Sequence, residues 1–268
     1  NDLFARIARR YDFLNDLQSF GLHRSWKRRV TELASVSPGS KALDLCCGTG
    51  DIAFALAKRG AETTGLDFSS QMLEVAAPSL VALAGPATLV ISILAGKTIG
   101  NVLDRLPRAR AAVRAMPNLP AAIGCGMTGA VANAAVTDPQ RQCADALLSA
   151  VGRVEWLDDE SLIDAVTAIS GSGPAYVFYL AECLAEAGRE AGLPADMAER
   201  LARATVEGAG ALLAHMPDRS AATLRESVTS PGGTTAAALD VLKGAGGLRS
   251  LMDKAVLAAK RRAEALSG

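Results

Sequence analysis

The run Ser230-Pro-Gly-Gly-Thr-Thr235 sets two hydroxyls at the start of a predicted helix, directly behind a proline and two glycines. A helix start presents N–H groups that have no intrahelical partner, together with the positive end of the helix dipole, so a carboxylate suits it. The plain alternative is a Pro-Gly turn with threonine caps, and one such loop alone favours that alternative. A second run, Ser170-Gly-Ser-Gly-Pro-Ala-Tyr176, breaks a helical pattern with two glycines and a proline. Those residues are enough to kink a core helix without any ligand. A third, Met116-Pro117-Asn118, follows the carboxyl end of a strand, which is where ligands lie on open α/β sheets.

The fourth arrangement is Asp44-Leu-Cys-Cys-Gly-Thr-Gly50, with Asp67 closing the next strand. Gly48 and Gly50 let the backbone approach a ligand, the following helix start offers N–H groups, and Asp67 is placed to accept ribose hydroxyls. A simple βα turn is the alternative. The third glycine of a dinucleotide loop is missing, and an acidic residue stands ahead of the turn on the strand. Both features favour an S-adenosylmethionine pocket over a dinucleotide one. His23 and His215 are too few and too far apart for a triad or a metal site, and both read as surface residues.

The elements that must position these groups are legible from period and punctuation. Apolar and basic residues alternate at helical spacing over 3–34, ending at Pro38-Gly39. Strands are expected at 41–47 and 63–66, with a helix at 51–59 between them and a possible cap at Ser69 or Ser70 for the next. The pattern restarts with a strongly apolar strand at 86–94, a helix to about Leu106, a strand at 111–115, a helix at 138–150 and a last strand at 151–157. Five helical stretches follow: 160–190, 195–215, 220–229, 234–243 and 248–266. The expected fold is an α/β Rossmann-like parallel sheet domain followed by an all-α helical domain.

Composition narrows the function classes. The 28 basic and 28 acidic side chains cancel, and aromatics are only 4%, so neither charge nor base-stacking surface points to nucleic acid or an anionic membrane. No apolar run approaches the roughly 20 residues that cross a bilayer. The five cysteines are odd in number and form no C-x-x-C pair, which reads as a reduced, cytoplasmic protein without a structural metal. The first residue is Asn1, as in a fragment or a processed product.

Two resemblances emerge from these motifs. Tyr11-Asp12, Asn15, Ser19-Phe-Gly-Leu-His-Arg24 and Trp26-Lys-Arg28, followed by the Gly48–Gly50 turn and Thr63-Thr-Gly-Leu-Asp67, resemble the C-methyltransferases of menaquinone and ubiquinone biosynthesis over residues 1–76. The strands completing such an enzyme do not follow. Instead Ala77 to Gly96, Val113-Arg-Ala-Met-Pro-Asn118, Ser170 to Tyr176, and Val228-Thr-Ser-Pro-Gly-Gly-Thr-Thr235 with Ala238-Leu-Asp240 resemble pyrroline-5-carboxylate reductases in order and spacing. The chain therefore reads as a chimera joined near Ala76-Ala77, with three domains: 1–76, 77–158 and a helical dimerisation and substrate domain at 159–268.

The second resemblance implies reduction of the C=N bond of 1-pyrroline-5-carboxylate to L-proline by NADPH or NADH, in a homodimer or larger homo-oligomer. It assigns Thr235 to the imine and Ser230, Gly232, Gly233, Thr234 and Ser172 to the substrate. Met116, Pro117 and Asn118 fall on the nicotinamide side, with Leu119 where the family usually has threonine. Valine at Gly233 is expected to resist a positive φ and to fill the carboxylate's space. The family's own G-x-G-x-x-G-type loop and its Ala-Val-Lys-Pro-like segment are absent. In the first reading the chain is a weakened reductase that uses Gly48, Gly50 and Asp67 as a substitute dinucleotide loop, where Asp67 favours NADH over NADPH. An S-adenosylmethionine site at 44–67 in a methyltransferase fragment, or a non-catalytic helical dimer, are the other readings.

Overall fold

The structure, a computed structural model, describes residues 11, 15, 22–45, 47–66 and 84–267 of the 268. Asp67, the Ala76-Ala77 join and the helix expected after Ser70 lie outside the described residues. The chain divides into two compact units, 1–166 with 263–268, and 167–262.

The first unit begins with helix α1 (Leu22–Leu33), strand β1 (Lys41–Leu45), helix α2 (Asp51–Ala57) and strand β2 (Glu62–Leu66). β1 and β2 pair in parallel, Lys41 opposite Glu62 and Leu45 opposite Leu66, as a two-stranded sheet. A four-stranded sheet follows, in the order β3 (Leu89–Ser92), β4 (Ala111–Met116), β5 (Gly126–Ala132) and β6 (Gly152–Trp156). The expected parallel sheet is present with one antiparallel pair: β4 and β5 run antiparallel while β3–β4 and β5–β6 are parallel. β5 was also absent from the sequence expectation. Its Gly126-Met-Thr-Gly-Ala-Val-Ala composition weakens the strand signal, and the glycines are there for packing. A Cβ on Gly129 would stand 2.7 Å from Val166 Cγ1, and one on Gly126 would stand 2.8 Å from the Val151 carbonyl oxygen.

β4 explains the core. Its residues 111–115 are all buried, the pattern of a strand covered on both faces. Val113 and Ala115 pack with Ala130 against Ala144 and Leu148 of helix α4 (Asp138–Ser149). On the opposite face Ala112 and Val131 meet Ile99 of helix α3 (Ile99–Arg105) and Ile163 of helix α5 (Leu162–Val166). Two capping boxes fix the covering helices: Thr98 with Asn101 on α3, and Thr137 with Gln140 on α4.

The second unit opens with a π-turn at Thr167–Gly171 and helix α6 (Gly173–Glu190). Helices α7 (Ala195–His215), α8 (Ala221–Ser227) and α9 (Thr234–Lys243) follow, and α10 (Leu248–Ser267) runs on to the end of the chain. These match the helical stretches expected from period. α6 and α7 pack as an antiparallel-type hairpin joined at Gly192-Leu193-Pro194, where Gly192 takes φ 100°. Within 167–262 the buried hydrophobic residues are all alanines, Ala168, Ala198 and Ala202. No described helix is long and apolar enough to cross a membrane.

Candidate functional site

The carboxylate loop is built by two helix ends. α8 stops at Val228, Thr229 bonds back to the Arg225 carbonyl through its hydroxyl, and Ser230–Gly233 turns the chain with Gly233 N–H donating to the Ser230 carbonyl at 3.0 Å. α9 starts at Thr234 with Gly233 as its N-cap, and no side chain caps it. No side chain satisfies the first-turn N–H groups as a cap, which is the condition for binding an anion. Among the described residues the hydroxyls of Ser230, Thr234 and Thr235 make no hydrogen bond; Thr235 is half-buried and Thr234 exposed.

The glycines divide their work differently from the sequence expectation. Gly232 has φ 69°, the left-handed region, with open space where a Cβ would stand. Gly233 has φ −81°, so a positive φ is not what demands glycine there. Its constraint is Ser230: a Cβ on Gly233 would lie 2.5 Å from Ser230 Oγ and 3.1 Å from the Ser230 carbonyl oxygen.

Ser172 lies at the start of α6, with φ −84° and ψ −21° and no side-chain cap bond. Its N–H donates to the Thr167 carbonyl at 2.8 Å, closing the π-turn, and Tyr176 Oη bonds the Ala168 carbonyl at 3.1 Å. The Ser-Gly-Ser-Gly-Pro run thus produces a widened helical turn, a feature often found at functional sites. Ser172 and the 230–235 loop both belong to the helical unit.

In the sheet unit, Met116 ends β4 and Pro117-Asn118 leads into a 3₁₀ turn at Leu119–Ile123. Asn118 Oδ1 accepts the Met127 N–H at 2.8 Å, which ties the loop to β5. Leu119 and Ile123 stand exposed on that turn, at 65% and 78%. Two residues upstream is a group that motif reading passed over. Arg114 is buried and pairs with Glu160 Oε1 at 3.1 Å, and Asp164 Oδ1 lies at 3.9 Å. A strand pattern cannot reveal an inward arginine, because its carboxylates come from α5 and the turn before it, about 50 residues on.

The Gly48–Gly50 turn is present, with φ 56° and 87°, and it is buried. Gly50 is the N-cap of α2 and gives it no side-chain bond. The room left by the missing Cβ of Gly50 is filled by Phe54, whose ring atom Cε2 lies 2.5 Å from that position. Asp51 heads the helix and pairs with Lys27 Nζ at 2.6 Å. As built, the turn has no open space beside Gly50 and a carboxylate at the helix start, and so it does not fit a dinucleotide pyrophosphate.

Comparison with known proteins finds both of the resembled families. Residues 160–266 match the family described as pyrroline-5-carboxylate reductase dimerisation, and residues 1–91 match the ubiE/COQ5 methyltransferase family. A pyrroline-5-carboxylate reductase from Pseudomonas aeruginosa is 41% identical over 207 residues, 77% of this chain and 75% of that protein. One from Synechocystis is 47% identical over 189 residues, 70% of this chain and 69% of that protein. Among solved structures, a pyrroline-5-carboxylate reductase from Coxiella burnetii superposes with a TM-score of 0.72 at 32% identity, covering 87% of this chain and all of that one. The Plasmodium falciparum pyrroline carboxylate reductase, solved with NADP bound, shares the fold at a TM-score of 0.65 and 23% identity, over 86% of this chain and all of that one.

Proposed function

Because this chain belongs to the pyrroline-5-carboxylate reductase family, joined to a methyltransferase-type segment at its N-terminus, we propose that it reduces 1-pyrroline-5-carboxylate to L-proline. The observation that carries the substrate assignment is the uncapped start of α9 behind Ser230–Gly233. The substrate carboxylate sits on the N–H groups of that first turn, where the helix dipole favours it, and Ser230 and Thr234 supply hydroxyl donors. Thr235, one residue further into the helix, hydrogen-bonds the imine region. Ser172 lines the substrate from the π-turn, and Met116–Asn118 carries the nicotinamide side.

The family's nicotinamide, NADPH or NADH, supplies a hydride to the imine carbon, while the protonated nitrogen of the pyrrolinium ion becomes the amine of proline. That ion is already electrophilic. Catalysis is therefore placement more than acid–base work, which suits a site of hydroxyls and backbone N–H groups without histidine. The oligomer is a homodimer formed through the helical unit, whose exposed Phe178, Tyr179, Leu201 and Leu251 have no cover within it.

The test is steady-state oxidation of NADPH and of NADH by the purified chain with pyrroline-5-carboxylate, with proline identified as product. Absence of proline at millimolar reductant, with the chain folded, refutes the reading.

A further inference from the structure

The structure bears on how the reductant is held, and here the N-terminal segment matters. We infer that Phe54 and Asp51 close the Gly48–Gly50 turn to a dinucleotide pyrophosphate, so that the adenosine half of NAD(P)H contributes nothing to binding at this turn. The inference rests on the proposed reductase reading for its ligand, but on local geometry for its content.

A glycine-rich turn serves a pyrophosphate by leaving its backbone uncovered, so that the phosphate oxygens reach the N–H groups of the next helix. Here the uncovered side of Gly50 is taken. A Cβ at that position would lie 2.5 Å from Phe54 Cε2 and 2.7 Å from Cζ, so the aromatic ring already occupies the space that glycine vacates. Gly50 is thus explained by its own helix: φ 87° and the ring four residues on both require it. The turn from Gly48 to Gly50 is buried, Thr49 at 7% exposure.

Charge opposes the ligand as well. Asp51 is the first residue of α2, and its carboxylate stands at the positive helix end that a pyrophosphate would use. Lys27, the cation beside it, is committed to that carboxylate at 2.6 Å. A diphosphate would have to displace an existing ion pair and meet the released carboxylate. α2 is also only seven residues long, a weak source of dipole.

The experiment compares NADH with reduced nicotinamide mononucleotide, which lacks the adenosine half, by fluorescence titration of the purified chain. In a working dinucleotide site the adenosine monophosphate portion that NADH adds strengthens binding by a large factor, about a hundredfold corresponding to 2.7 kcal/mol. The expected result is that NADH binds no more than about tenfold tighter than the mononucleotide, the factor equivalent to 1.4 kcal/mol. No measurable binding of NADH is the same result in stronger form. A larger advantage for NADH overturns the inference. Asp51→Asn, which keeps shape and removes the charge, and Phe54→Ala, which vacates the ring's space, are combined as a second arm. Together they should raise NADH affinity and leave the mononucleotide unchanged; no gain in a folded double variant also overturns it. Turnover is not read in either arm, so a chain that fails to make proline leaves this result standing on its own.

Discussion

Arg114 Nη1 lies 3.1 Å from Glu160 Oε1, and that same oxygen accepts the Ile99 N–H at 2.8 Å. One carboxylate thus holds the buried arginine of β4 and the first turn of α3 together. Asp164 stands on the other side of the guanidinium and receives the Ser267 hydroxyl at 3.2 Å, which ties in the last turn of α10. Because the arginine's side chain is only 5% exposed and that of Glu160 is 30%, the two partners differ in what their removal leaves behind.

Glu160→Ala strands a buried guanidinium and an N–H at the head of α3, and should cost about 2–3 kcal/mol. Arg114→Met should cost less, because Glu160 and Asp164 can hydrate once the arginine is gone. Urea unfolding of both variants checks the order; a larger loss for Arg114→Met would mean that packing, not charge, dominates at this site.

Two glycines at positive φ differ in whether a side chain would also meet a neighbour. Gly152 faces Gly126 across β5 and β6, and a Cβ on it would lie 2.1 Å from the Gly126 carbonyl oxygen. Gly152 also sits at φ 151°, so Gly152→Ala combines overlap with backbone strain and should cost more than about 3 kcal/mol. Gly232→Ala meets open space and only the strain of φ 69°, about 1–2 kcal/mol. Thermal unfolding of the pair measures the difference.

The helices were legible because alanine- and leucine-rich stretches with Gly-Pro punctuation carry their own period, as at Gly192-Leu193-Pro194 between α6 and α7. The strands were legible where apolar residues predominate, as in β3 and β4. β5 was not, because its glycines answer to Val166 and Val151, neighbours that only folding supplies. The same limit applied at the sites. Ser230–Thr235 could be picked out because turn and helix start are local in the chain. Lys27 on Asp51 and Glu160 on Arg114 are relations between side chains distant in the chain, and motif spacing says nothing of them.

Self-association should follow from the helical unit's surface. Phe178 and Tyr179 on α6, Leu212 and Leu213 on α7, Val241 on α9 and Leu251 on α10 are each between 49% and 77% exposed. Apolar surface of that extent on one unit marks an interface. Sedimentation at micromolar concentration should give a dimer or larger, and Leu251→Glu with Phe178→Glu should shift it toward monomer. A parent chain that sediments as a monomer refutes the interface.

Thr235 is where fold and chemistry separate most cleanly. Its hydroxyl caps nothing and bonds none of the described residues, so Thr235→Ala should change stability by less than the roughly 1 kcal/mol of a true cap. If the hydroxyl acts on the imine in the transition state, kcat/KM for pyrroline-5-carboxylate should fall about ten- to a thousand-fold, equivalent to 1.4–4 kcal/mol. Gly233→Val should be worse for both quantities. Its backbone, at φ −81°, accepts a side chain, but the Cβ would stand 2.5 Å from Ser230 Oγ and push the serine off the carboxylate loop. Ser230→Ala in the same chain takes away the Oγ and should recover part of the stability lost by Gly233→Val without recovering turnover. Steady-state kinetics beside circular dichroism reads all three. Unchanged turnover in a well-folded Thr235→Ala removes that hydroxyl from the site, and leaves the α9 start as a carboxylate anchor alone.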